Sequence, residues 1–140
     1  MTGEALRIRE VVPSDDQDYT IVSPRTKMHD LAGIFAEKPN DAVLVFDSKR
    51  NKFHGILYLH SFLKHYASNP GNIHINKVKK YANTNIVSIN HNKTVPEAMA
   101  EIKKLQPEGV LLHNDDNEFV GYLPNGILSN HIELDGGSEE

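Results

Sequence analysis

The sequence predicts an α+β fold of two β-α-β-β-α repeats packed sheet to sheet with pseudo-twofold symmetry, and three observations carry that prediction. The junction FHGIL at 53–57 returns as FVGYL at 119–123, placing Phe53 on Phe119 and Gly55 on Gly121 at an offset of 66. A helical pattern precedes a pair of short apolar runs in both halves. A unit of about 60 residues with three short strands is marginal alone, so two copies must cover each other's apolar sheet faces.

Working backwards from the junction, the matches stay in order. Ile8 and Val11 fall on Ile75 and Val78 at an offset of 67, and IVS at 21–23 falls on IVS at 86–88 at 65. Met28, Leu31 and Phe35 fall on Val95, Ala98 and Ile102, and AVLV at 42–45 falls on GVLL at 109–112, both at 67. Offsets that change by one or two residues between blocks are what short loop insertions produce.

Each element has a local reason. A helical segment is expected at 6–12 and again at 75–81. Thr94-Val95-Pro96-Glu97 reads as a capping box with proline in the first turn, opening an amphipathic helix to about Lys104 through Val95, Ala98, Met99, Ile102 and Leu105. Met28, Leu31 and Phe35 play that part in the first copy, which Pro39 and Asn40 end. Apolar runs at 42–46 and 109–113, polar turns, and second runs ending at Leu57 and Leu123 read as hairpins. Short helices follow at 59–67 and 125–131, and SNPGN at 68–72 separates the copies. The expected organisation is repeat 1 over 1–70 with its leading helical segment, repeat 2 over 71–134, and a flexible tail over 135–140.

Composition narrows the function. At 140 residues and 39% hydrophobic content the chain can build a folded core. No apolar run approaches 18 residues and residues 1–10 carry charges where a signal peptide needs an apolar stretch, which gives no export or membrane signal. The absence of cysteine removes thiolate metal sites and thiol catalysis and fits a cytoplasmic location. A net charge of -4 argues against nucleic acid as a partner, with KVKK at 77–80 reading as a solvated basic face. None of the eight histidines is spaced H-x-H or H-x-x-x-H with another, so no metal site is expected. No nucleophile arrangement, carboxylate pair or glycine-rich phosphate loop appears, so no catalytic residue is assigned and the chain reads as non-enzymatic. Gly55 and Gly121 read as points of close backbone approach.

The ordered set of AVLVFD and GVLLHN strands, a polar turn and an aromatic-x-Gly strand, in two copies over about residues 6–132, resembles the CBS domain, which occurs in tandem as a Bateman module. The resemblance implies a regulatory module whose inter-repeat clefts bind an adenosine-type ligand (AMP, ADP, ATP or S-adenosylmethionine). It also implies pairing as a homodimer and a regulated partner protein. The ligand contacts it implies fall on Ser23, Val43, Tyr58, His60, Ser61, Ser88, Val110 and Pro124.

In ligand-binding members the junction reads Gly-h-h-Thr/Ser-x-x-Asp, where h is apolar, the hydroxyl meets phosphate at a helix start and the Asp grips the ribose. Both copies here depart from it. Tyr58 and Ser61 stand at those positions in the first copy, and Pro124 and Ile127 in the second. Losing the carboxylate alone should weaken ribose binding about ten- to a hundredfold. The first junction, with Tyr58, His60 and Ser61 and with Lys64 and His65 nearby, keeps the polarity a nucleotide needs. The alternative is a ligand-free dimerisation or interaction module whose clefts are filled by side chains such as Tyr58 and Ile127.

Overall fold

Two three-stranded sheets, each flanked by helices, make up the chain. The computed structural model describes residues 6–12, 19–69 and 71–124. The chain divides into two compact units, one of Gln17–Asn85 and one of Met1–Asp16 with Ile86–Glu140. The α+β class follows directly from this architecture. The second junction helix expected at 125–131 and the tail at 135–140 lie outside the described residues.

In the 17–85 unit, β1 (Tyr19–Val22) runs parallel to β2 (Ala42–Asp47), which pairs antiparallel with β3 (Lys52–Leu57). An α-helix, Met28–Glu37, makes the crossover from β1 to β2 and buries Met28, Leu31 and Phe35, the three positions its periodicity singles out. They pack with Val43, Val45, Leu57, Phe62, Ile73 and Val78. In the other unit, β4 (Ile86–Asn90), β5 (Gly109–His113) and β6 (Phe119–Leu123) repeat the order, with helix Val95–Leu105 as the crossover. Its core gathers Ile8, Ile89, Val95, Ala98, Val110, Leu112 and Leu123.

Numbered along the chain, the α-helices are α1 (Ile8–Val11), α2 (Met28–Glu37), α3 (Leu59–Ser68) and α4 (Val95–Leu105). The ends of α2 and α4 show how each unit is completed. The α4 capping box forms as its sequence dictates, with Glu97 N donating to Thr94 Oγ1 at 3.3 Å and Thr94 N to Glu97 Oε1 at 3.0 Å. Helix α2 starts after Lys27, which offers no side-chain acceptor, and a backbone carbonyl far along the chain takes over: Met28 N donates to Asn76 O at 2.8 Å. Val78 N returns a bond to Thr26 O at 2.7 Å. In the other unit Val95 N donates to Leu6 O at 2.8 Å and Ile8 N to Lys93 O at 2.9 Å.

Each leading segment therefore docks on the long helix of the other sequence repeat. Residues 71–85 complete the unit that contains β1 to β3, and residues 6–12 complete the unit that contains β4 to β6. The packing units are offset from the sequence repeats 1–70 and 71–134 by one leading segment.

Two of the sequence matches shift once the hydrogen bonds are known. The equivalent bonds of Ile8 and Val78 pair those residues at an offset of 70, and both are fully buried. Ile75, expected to match Ile8, is 54% exposed. In the sheets, Tyr19 sits opposite Ala42 and Ile86 opposite Gly109, so β1 matches β4 at 67 and Ser88 takes the place of Ile21. The two IVS triplets are two residues out of register, a chance identity on one face of an alternating strand.

Gly55 bears out its expected role, since a methyl group there would lie 2.5 Å from Asn83 O. Across that approach Ile56 and Asn83 exchange backbone hydrogen bonds of 2.9 and 2.8 Å. Gly121 differs, with no atom of the described residues within 4 Å of such a methyl group. At the offset of 70, Asn83 corresponds to position 13, which lies outside the described residues.

Candidate functional site

The first junction is built from the end of β3. Gly55, Ile56 and Leu57 are buried, the chain leaves the sheet, and Tyr58 takes an extended conformation (φ -104°, ψ 162°) as the N-cap of α3. Among the described residues, no side-chain hydrogen bond caps the start of this helix. Its first-turn N–H groups, with the partial positive charge of a helix N-terminus, therefore lie beside whatever meets Tyr58, His60 and Ser61.

What fixes the helix is Phe62, buried with its ring centroid 5.1 Å from Phe35 and 4.8 Å from Tyr66. That anchor leaves His60 exposed and Tyr58 and Ser61 half-buried. The rings of Tyr58 and His60 are nearly parallel, 13° apart in plane with centroids 6.0 Å apart, and Ser61 Oγ lies 3.4 Å from His60 Nε2. The structure thus brings these three expected residues together. Of the cations expected nearby, Lys64 is exposed, whereas the half-buried His65 packs its ring 4.9 Å from Tyr81. Burial, reinforced by the neighbouring Tyr81, raises the pKa of Tyr66 on the same helix and keeps its hydroxyl protonated.

The other expected residues have local employment. Ser23 Oγ accepts from Arg25 N at 3.1 Å and its carbonyl from Thr26 N at 3.1 Å, so Ser23 forms the turn after β1. The side chains of Val43 and Val110 lie in the cores of their units. Pro124 follows β6, half-buried. Ser88 is exposed and shares a 2.7 Å hydrogen bond with His113 Nδ1.

Some polar pairs escape a sequence reading because they depend on register. Ser88 meets His113 because it pairs with Leu111, which puts His113 one step along the same face. Asp41, only 7% exposed, accepts from Thr20 Oγ1 at 3.0 Å across β1 and β2. In the unit of β4 to β6, Asn90 Nδ2 donates to Asp115 Oδ1 at 2.9 Å and Arg9 Nε to Asn92 Oδ1 at 2.7 Å. The amides of Asn90 and Asn92 hold the Asp115 carboxyl below its ordinary pKa. Among the described residues, no group of three or more His, Asp or Glu could hold a metal ion, and no helix is long and apolar enough to cross a membrane.

No protein-family model matches this sequence, and no curated protein matches it. Solved structures do. A CBS-domain-containing protein of Agrobacterium tumefaciens superposes with a TM-score of 0.71 at 19% identity, over 93% of this chain and 96% of that one. The CBS domain of a bacterial CNNM/CorC-family Mg2+ transporter, solved in complex with ATP, gives 0.73 at 14% identity over 91% and 87%. A CBS-domain protein of unknown function from Thermoplasma acidophilum gives 0.70 at 17% identity over 91% and 70%. These neighbours indicate no enzyme family. With two β-α-β-β units in one chain and these superpositions over nine-tenths of its length, the chain has the fold of a tandem CBS-domain protein.

Proposed function

We propose that this chain is a non-enzymatic regulatory module of the cytoplasm that binds an adenosine-type nucleotide at the start of α3 and passes the binding event to a partner protein. The observation that carries the reading is the first turn of α3, which no side chain of the described residues caps, flanked by the Tyr58 and His60 rings and the Ser61 hydroxyl. Free N–H groups at a helix start suit phosphate, an aromatic pair suits a base, and the hydroxyl can take one bond to ribose. The shared fold with a CBS domain that holds ATP supports it. A ligand that favours one conformation of the module shifts its population, and the partner reads that shift.

Calorimetric titration of AMP, ADP, ATP and S-adenosylmethionine at near-physiological salt tests this. Saturable micromolar binding of one of them, lost in Ser61→Phe, is the expected result. Absence of heat from all four, or undiminished affinity in the variant, would remove the site.

A second reading, a ligand-free dimerisation module, is favoured by Leu63, which is 56% exposed on α3. It predicts a sedimentation coefficient that falls on dilution in the native chain and is already low in Leu63→Asp. A concentration-independent coefficient would count against it.

A further inference from the structure

Charge in this chain is segregated along the sequence. No Asp or Glu occurs between Asp47 and Glu97, yet those 49 residues hold eight Lys and Arg and five of the eight His. The rest of the chain holds all 19 acidic residues against seven Lys and Arg. The net -4 thus conceals a strongly basic middle third.

Within the 17–85 unit the fold concentrates part of that charge around an open groove of about 520 Å³, lined by His54, Ile75, Asn76, Lys77, Lys79 and Lys80. The volume falls in the range of about 300–1,000 Å³ typical of small-molecule sites. Two bonds fix its walls. His54 Nε2 donates to Lys79 O at 3.3 Å, tying β3 to the turn at Val78–Lys80, and Asn76 Nδ2 donates to Tyr81 OH at 2.8 Å.

Its chemistry is two-sided. The lining surface is mostly apolar, and Ile75 leaves an unusually large side chain in the open. Around it stand three lysines, and among the described residues no ion pair engages any of them. A carboxylate could neutralise one ammonium, whereas a phosphate monoester carries about -1.5 to -2 charges and three acceptor oxygens, enough for two or three.

We propose that this groove binds a small organic phosphate, with its flat apolar body against Ile75 and the His54 ring and its phosphate among Lys77, Lys79 and Lys80. The site is separate from the start of α3 and does not rest on nucleotide binding there.

The test titrates 1-naphthyl phosphate into the full chain and follows fluorescence and heat. One saturable site is expected, with 1-naphthol and inorganic phosphate each binding at least about tenfold more weakly because each lacks one half of the recognition. Lys79→Gln with Lys80→Gln should weaken it about tenfold or more, and Ile75→Ser should weaken it too, while Lys103→Gln with Lys104→Gln should not. These side chains are exposed, so thermal melts should show the variants folded. Equal affinity for 1-naphthol would reduce the effect to apolar adhesion and overturn the proposal. So would loss of binding in Ser61→Phe with the lysine variants unaffected, which would move the ligand to α3. Tighter binding of a decaglutamate peptide would overturn it in favour of an acidic protein partner.

Discussion

A methyl group at Gly55 would collide with a backbone carbonyl that cannot step aside without breaking the Ile56–Asn83 bridge. Gly55→Ala should therefore cost roughly 1–3 kcal/mol, read as a lower urea midpoint at an unchanged slope. Thr20→Val keeps shape but removes the hydroxyl that serves the buried Asp41 carboxylate. It should cost about 1–3 kcal/mol, and an unchanged midpoint would show that Asp41 reaches water instead. At this scale the buried residues of α2 were legible because a 3.6-residue period announces them, whereas the Thr20–Asp41 and Ser88–His113 pairs were not. Such pairs exist only once strand register is set, and the repeated IVS suggested a register two residues away from the real one.

Helix α4 carries its own start signal and α2 does not. Thr94→Ala should lower stability by about 1 kcal/mol, while Lys27→Ala should change little, because the Asn76 carbonyl rather than a side chain meets the first N–H of α2. The hydrogen bonds from the Thr94 backbone and hydroxyl region hold Glu97 below its ordinary pKa of 4.5. A lowered folded-state pKa means that its contribution is present above the unfolded value and disappears as pH falls through the folded one. The gap in thermal midpoint between the native chain and Glu97→Gln should accordingly be widest near neutral pH and close in acid below 4.5. Equal gaps at pH 7 and pH 3 would show that the charge of Glu97 is not what matters. The element order was readable from repeats and caps, but the docking of 71–85 onto α2 was not. Nothing local in that segment states which long helix its carbonyls will meet.

For the whole molecule, the unit that packs is not the unit that repeats. A fragment of residues 17–85 retains Val78 and the Asn76 carbonyl against α2, and one of residues 1–70 lacks both. The first should show more native-like circular dichroism and a steeper melt than the second, and the reverse ranking would refute the exchange of leading segments. The same exchange gives the two halves very different contact orders. Residues 19–85 are contiguous, so that half can condense as soon as it is synthesised. Ile8, in contrast, must wait for Lys93 and Val95, leaving residues 6–12 undocked across some eighty intervening residues. In refolding, amide protection should reach β2 and β3 before β4 and α1, and on the ribosome residues 6–12, made ahead of β1, find their place only once Lys93 and Val95 have emerged.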